Sequence, residues 1–312
     1  MKITWEGVFP AVTTKFNKDY SLDFKTFADN IDEQLAAGVD GIIIGGTLGE
    51  SSVLNNDEKN ELLKFTVQKV DGKVPVVLNI AEGSTRDAVK IAESAAKSGL
   101  RGLMALPPMR YKSDHRETVE YFKAIAQATD LQIMIYNNPV DYKVEVTLDM
   151  FEDLAPLKNI DAVKESTRDV VNVTRMINRF GDRFSVMSGV DTLAMESLIV
   201  GAKGWVAGLV CAFPRETVAI YKLVKAGRIE EAVEINRWFM PLLELDTHSK
   251  LVQYIKLAEA EAGIGTETVR PPRLPLIDDE RKAVLEVIRQ GIKTRPVLPN
   301  YLTIRKTEKT LL

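Results

Sequence analysis

Short apolar runs alternate with longer amphipathic stretches from one end of the chain to the other. The runs fall at residues 8–12, 41–44, 74–78, 102–106, 132–136, 160–164, 184–187 and 204–207. Most lack the polar/apolar alternation of a half-exposed sheet, which is the pattern of parallel strands buried on both faces. Between them lie helical patterns at residues 22–37, 57–70, 85–98, 114–128, 148–157, 170–180 and 192–200. Asn56 or Asp57 can cap the second helix and Ser84 the third, while Gly38, Gly72, Gly99 and Gly181 stand where helices should stop. Strands that begin every ~20–35 residues, each followed by a helix, predict an α/β fold of the (β/α)8 or TIM barrel type. An open doubly wound sheet is the alternative, but the Gly-rich dinucleotide fingerprint is missing after the first strand.

The strand–helix alternation stops near residue 212. Beyond it the pattern is helical, at residues 215–226, 229–245, 249–262 and 278–290, broken by Gly263, Gly265 and the segment Arg270-Pro271-Pro272-Arg273-Leu274-Pro275. The predicted organisation is a barrel over residues 1–212, a helical extension over 213–295 and an extended tail over 296–312. The extension covers the barrel or mediates contacts between subunits.

Composition narrows the function by exclusion. The 312 residues are 45% hydrophobic and 27% charged, with a net charge of −3 and the two signs interspersed. Neither nucleic acid nor an anionic membrane surface is an expected partner. The most apolar long window, residues 194–213, contains Glu196, Lys203 and several glycines, a poor membrane span. The first residues have no apolar signal region. The single cysteine, Cys211, allows no intrachain disulfide and points to the cytoplasm. The two histidines, His115 and His248, lack ligand spacing, so no metal site is expected.

In a barrel the chemistry sits where strands end. The sixth run, Ile160-Asp161-Ala162-Val163-Lys164, ends in a lysine. A buried ammonium is costly, and a lysine that sheds its proton there becomes a nucleophile for carbonyl carbon. A surface lysine that merely follows a strand is the alternative. The fifth run ends in Tyr136-Asn137-Asn138-Pro139, whose phenol can donate or relay a proton, or plug the barrel mouth. The two strands are neighbours, so Tyr136 and Lys164 should stand at similar height ~5 Å apart. The second run ends in Gly45-Gly46-Thr47-Leu48-Gly49-Glu50, a turn that can hold a small carboxylate on its backbone, with Thr47 adding a hydroxyl, or be a plain tight turn. Asp114 and His115 read as a helix start, Glu165 as a residue facing away from the lumen, and Cys211 as a small buried apolar group.

Taken together, Gly46-Thr47-Leu48-Gly49-Glu50, Tyr136-Asn137-Asn138-Pro139, Val163-Lys164-Glu165 and Ser188-Gly189-Val190-Asp191 resemble the dihydrodipicolinate synthase and N-acetylneuraminate lyase family, over roughly residues 7–275. The resemblance implies a cofactor-free homotetramer, a dimer of dimers, acting on a small 2-oxo acid. It implies Lys164 as the Schiff-base lysine, Tyr136 as proton donor and acceptor, and Thr47 in the proton relay. Gly46, Leu48, Gly189 and Val206 would line or hold the 2-oxo acid.

Two departures bear on the substrate. Synthases that join pyruvate to aspartate semialdehyde usually carry an arginine just after the Tyr-Asn-x-Pro turn, where this chain has Val140-Asp141-Tyr142. An arginine fork is hard to replace for gripping a carboxylate. The family's second relay tyrosine lies in the loop after the fourth strand, which here reads Pro107-Pro108-Met109-Arg110-Tyr111, so either Tyr111 serves or Arg110 binds an anion. The expected activity is catabolic: aldol cleavage, dehydration or deamination of a hydroxylated 2-oxo acid or cyclic imine, including a hydroxylated pyrroline carboxylate. The alternatives are 4-hydroxy-tetrahydrodipicolinate synthase itself and a non-catalytic barrel that only binds.

Overall fold

In the computed structural model residues 2–108 and 111–304 are described. Eight parallel strands form the core: β1 (Gly7–Pro10), β2 (Ile42–Ile44), β3 (Val76–Ile80), β4 (Gly102–Ala105), β5 (Gln132–Asn137), β6 (Ile160–Glu165), β7 (Ser185–Ser188) and β8 (Gly204–Ala207). Their order is β1-β8-β7-β6-β5-β4-β3-β2, every neighbour parallel. The ring is completed between β1 and β2, where Ala11 bridges to Ile43 and the Val12 amide donates to the Ile43 carbonyl at 3.0 Å. This is the (β/α)8 barrel that the apolar runs predict. Its strands are largely apolar because one face packs into the lumen and the other under helices.

The first run is strand only over its first half. Ala11 and Val12 leave the β1–β8 ladder and serve as the seam to β2. The second helix is capped by Asn55, one residue before Asn56 and two before Asp57. Asn55 accepts from the Glu58 amide while the Glu58 side chain returns to the Asn55 amide, a capping box that fixes Asn55 as the cap. Ser84 caps the third helix, and Asp114 caps the helix His115–Gln127 with Glu117 as its partner.

One irregularity sets the phase of the site. Between β5 and β6 the register shifts: Ile133 pairs with Ile160, but Met134 pairs with Ala162, and Asp161 is skipped. A one-residue slip in a strand exchanges its faces. With the bulge in place, Lys164 stands opposite Tyr136 on β5 and Met187 on β7. Asp161 itself takes the indole N–H of Trp5 at 2.7 Å beneath the barrel.

The helix Pro214–Lys225, counted above with the extension, packs on β1, β8 and the helices to either side, so it fills the eighth helical place of the outer ring. The helices Ile229–Leu243, Leu251–Glu261 and Asp278–Lys293 follow. The chain between the first two, Glu244–Thr247, crosses the barrel mouth and brings Asp246 to it.

Candidate active site

Lys164 is the fifth residue of β6 and is 7% exposed. Its amine lies 4.0 Å from the centroid of the Tyr136 ring. No acidic side chain among the described residues comes within ion-pair reach of it, unlike the other deeply buried lysines. Burial pushes its pKa down. The carboxyls of Asp246, Asp191 and Asp141 and the Tyr142 phenol pull the other way and do not cancel the effect. The amine is thereby placed to lose its proton at the mouth of a closed sheet.

Tyr136 is buried as well, and burial holds its phenol protonated, with a pKa pushed up to about 12. Asn138 donates to the phenol oxygen at 3.2 Å and to Asp141 at 2.7 Å, tying the turn after β5 to Tyr136. That turn is a short helical segment, Pro139–Tyr142, capped by Asn138 and started by Pro139 at the first helical position. One helical turn carries Tyr142 back over the cavity. Its ring meets Tyr136 edge to face, centroids 5.7 Å apart at 79°, and its hydroxyl is hydrogen-bonded to Thr47. Thr47 and Tyr142 thus share a hydrogen bond, and the Tyr142 ring packs on Tyr136 beside the amine, all three supplied by one chain.

The cavity that holds Lys164 and Tyr136 is lined also by Gly46, Thr47, Leu48, Gly189 and Val206, so the structure brings together seven of the nine residues singled out above. Gly189 is required by close approach. A Cβ there would stand 2.1 Å from the Ser166 hydroxyl and 2.6 Å from Cγ of Lys164, so any side chain would displace Lys164 or Ser166. Tyr111 is exposed and is not among the lining residues; Arg110 lies outside the described residues. Glu165 faces away from Lys164, its carboxylate accepting from the Thr167 amide at 2.7 Å and from Asn172 at 2.8 Å. Cys211 is buried with its thiol against the Ala11 carbonyl. Among the described residues no trio of His, Cys, Asp or Glu is arranged to hold a metal ion.

Three lining or supporting residues were not foreseen from sequence. Tyr142 was noted only as part of a departure. Asp191 accepts from the Trp205 indole at 2.9 Å and from the Gly208 and Leu209 amides at 3.1 and 2.7 Å, bracing the β7 and β8 tips. Asp246 enters from outside the barrel sequence altogether. The Asn138-Pro139 pair, which starts a helical turn, is the one local signal that could have found Tyr142.

The chain matches the dihydrodipicolinate synthetase family over residues 4–291. It belongs to that family. The family's enzymes are Schiff-base lyases, and this protein is one of them. A 4-hydroxy-tetrahydrodipicolinate synthase from Bartonella bacilliformis is 32% identical over 280 residues, covering 89% of this chain and 95% of the relative. One from Bacillus velezensis is 30% identical over 282 residues, covering 90% and 98%. The crystal structure of dihydrodipicolinate synthase from Aquifex aeolicus superposes with a TM-score of 0.87 at 28% identity, over 92% of this chain and 98% of that one. Another solved relative, 27% identical with a TM-score of 0.87 over 93% and 96%, is described as a monomeric dihydrodipicolinate synthase variant. No helix among the described residues is long and apolar enough to cross a membrane.

Proposed function

We propose that the protein is a catabolic lyase that holds a small 2-oxo acid as an imine on Lys164 and cleaves, dehydrates or deaminates it. The observation that carries this reading is the pairing of an unbridged, buried amine with a protonated phenol one strand away. The amine attacks the ketone carbon. Tyr136 gives the proton that lets the carbinol oxygen leave as water, and its phenolate then takes a proton from the neighbouring carbon to form the enamine. Thr47 and Tyr142 replenish Tyr136. Gly46, Leu48, Gly189 and Val206 enclose the acid, whose carboxylate sits at the Gly46–Leu48 turn. In this reading the enzyme needs no cofactor and works in the cytoplasm as a homotetramer.

The catabolic direction rests on the loop after β5. Where synthases of this family carry a carboxylate-gripping arginine, this chain presents Asp141 to the cavity. A carboxylate there repels the second carboxylate of aspartate semialdehyde. A second reading keeps the synthase activity with Arg168 as the clamp: it lines the same cavity, and its guanidinium stands 3.8 Å from Asp141.

Borohydride reduction with pyruvate, followed by mass measurement, tests the imine: wild type gains the mass of one reduced adduct and Lys164→Ala gains none. Release of pyruvate or of an unsaturated acid from a panel of hydroxylated 2-oxo acids tests the catabolic role. Turnover of pyruvate with aspartate semialdehyde at a rate exceeding every member of that panel would overturn it in favour of the second reading.

A further inference from the structure

Asp246 belongs neither to the barrel strands nor to any motif of the sequence, yet it lines the Lys164 cavity. Its carboxyl lies against Gly208, just past the tip of β8, so closely that a Cβ on Gly208 would stand 2.3 Å from Oδ1. The neighbouring carboxyl, Asp191, is supplied with three N–H donors, from Trp205, Gly208 and Leu209. No hydrogen bond or ion pair engages Asp246 among the described residues. Two close carboxyls, Asp191 buried and Asp246 half-buried, do not both ionise readily, and hydrogen-bond donors decide which one does. The donors favour the ionised form at Asp191 and leave the proton favoured at Asp246, whose pKa is pushed upward both by burial and by Asp191.

We infer that Asp246 is the general acid that protonates a leaving group on the substrate, and that the enzyme is therefore an eliminating lyase rather than an aldolase. The inference rests on the Lys164 imine reading and deepens it. Its substrate class is a 2-oxo acid, or the cyclic imine of one, with a hydroxyl or amino group on C4. The steps balance without any further reagent. Lys164 and the C2 ketone form the imine with loss of water. Tyr136 removes a proton from C3, giving the enamine. The enamine pair moves to form the C3–C4 double bond while the C4–O or C4–N bond breaks. The departing oxygen or nitrogen takes the Asp246 proton and leaves as water or ammonia. Hydrolysis of the conjugated imine then frees a 3,4-unsaturated 2-oxo acid, and Asp246 is reprotonated from solvent. Aldol cleavage requires the opposite role, a base that accepts the proton of the C4 hydroxyl, and a protonated carboxyl cannot supply it.

The groups that face Asp246 agree with this assignment. Burial raises its pKa well above the carboxylate range, Asp191 and Asp141 raise it further, and Lys164 and Arg168 oppose without cancelling. While Lys164 is an uncharged amine or part of an enamine, its opposition weakens and Asp246 keeps its proton. As the C4 bond breaks, positive charge returns to the Lys164 nitrogen and favours release of that proton to the departing group.

The test uses the full-length protein and racemic 4-hydroxy-2-oxopentanoate, with a short panel of longer 4-hydroxy-2-oxo acids beside it. Absorbance of the conjugated acid reports elimination, and pyruvate release reports aldol cleavage. The expected result is elimination by wild type and a loss of about 10²–10⁴-fold in Asp246→Asn. Borohydride trapping of pyruvate on Lys164 should be retained in that variant. A 4-acetoxy analogue, whose leaving group departs as an anion without a proton, should restore most of the lost rate, which a structural role for Asp246 would not produce. The inference is overturned if wild type releases pyruvate from these acids, or if it traps pyruvate but turns over none of them. It is equally overturned if Asp246→Asn loses trapping along with turnover, because Asp246 is then a counter-ion of Lys164. Failure of wild type to trap pyruvate would sink the imine reading itself and is a separate outcome.

Discussion

Lys15, Lys164 and Lys256 are all buried in this protein, and their surroundings could hardly differ more. Lys15 meets Glu259 at 2.8 Å and Lys256 meets Glu50 at 2.6 Å, with all four side chains fully shielded from solvent. Thr13 adds a hydroxyl to Glu259 at 2.7 Å, and the Arg270 amide adds an N–H to Glu50 at 3.1 Å. This paired layer joins the loops after β1 and β2 to the helix Leu251–Glu261, so it holds the extension onto the barrel. Lys164 has no such partner among the described residues; three carboxyls influence it from a distance and its amine lies over an aromatic face. Desolvation of an ion is repaid by close pairing in one region and left outstanding in the other. In the function proposed above, the unpaired lysine is the one that gives up its proton and reacts. The same Gly46–Glu50 turn serves both regions, with Thr47 toward the reactive amine and Glu50 toward the structural one.

The sharpest way to break this comparison is to remove one lysine's role and watch for the other's. Lys164→Ala should abolish borohydride trapping and the exchange of pyruvate methyl protons with D2O, which reports imine and enamine formation without knowledge of the true substrate. Its urea midpoint should hold or rise, because a costly buried amine is gone. Glu259→Ala should do the reverse. It leaves Lys15 buried without its anion, a loss of about 3–5 kcal/mol in the urea-derived stability. Where the variant remains folded, exchange at Lys164 should continue. A stability loss of that size in Lys164→Ala, or abolished exchange in folded Glu259→Ala, would mean the two regions are one.

A smaller effect sharpens the reactive side. Tyr142→Phe removes the hydroxyl bonded to Thr47 and should slow pyruvate proton exchange by about 10²-fold, at the low end for a proton-transfer group because Tyr136 itself remains. Tyr111→Phe should leave the rate unchanged, since that ring is exposed outside the cavity. Equal losses in the two variants would return the relay to the loop after β4.

These residues differ in how far sequence exposes them. The eight strands were legible because burial on both faces removes polar residues and leaves unmistakable runs. Lys164 and Tyr136 stood out because a polar group at the end of such a run needs a reason. Their pairing followed from adjacency, although the Asp161 bulge that fixes it left no local mark. Glu50 was read only as part of a carboxylate-holding or plain tight turn, and its ion-pair partner Lys256 lies 206 residues away in sequence. Lys256 and Glu259 could have been suspected, since they interrupt a helix whose other residues are largely apolar. Tyr142 and Asp246 acquire their roles only from tertiary placement: one through a helical turn that folds it back, the other through a crossing segment outside the barrel.

The smallest expected effect comes from pH, and it separates the two kinds of buried lysine by sign and by readout. Burial lowers Lys256 to about 8 in the folded protein even with Glu50 beside it, whereas the unfolded chain holds that proton up to about 10.5. Between those values the unfolded state binds more protons, so raising pH stabilises the fold, by at most about 1.4 kcal/mol per unit. Below pH 8 both states hold the proton and this contribution is flat. Lys164 is shifted in the same direction and adds a share of the same sign. Cys211, held protonated by burial, opposes both above about pH 9, where the unfolded thiol ionises. Urea midpoints from pH 7 to 9 should therefore rise in wild type. The rise should shrink in the double variant Lys256→Met, Glu50→Gln, which removes both members of the buried pair. Pyruvate trapping on Lys164 should climb with pH across the same range in both proteins, because only the uncharged amine attacks. A midpoint that falls from pH 7 to 9 in wild type, or a trapping profile that flattens when the distant pair is removed, would show that the paired and unpaired lysines share one titration and that the contrast between them is not the source of the reactivity.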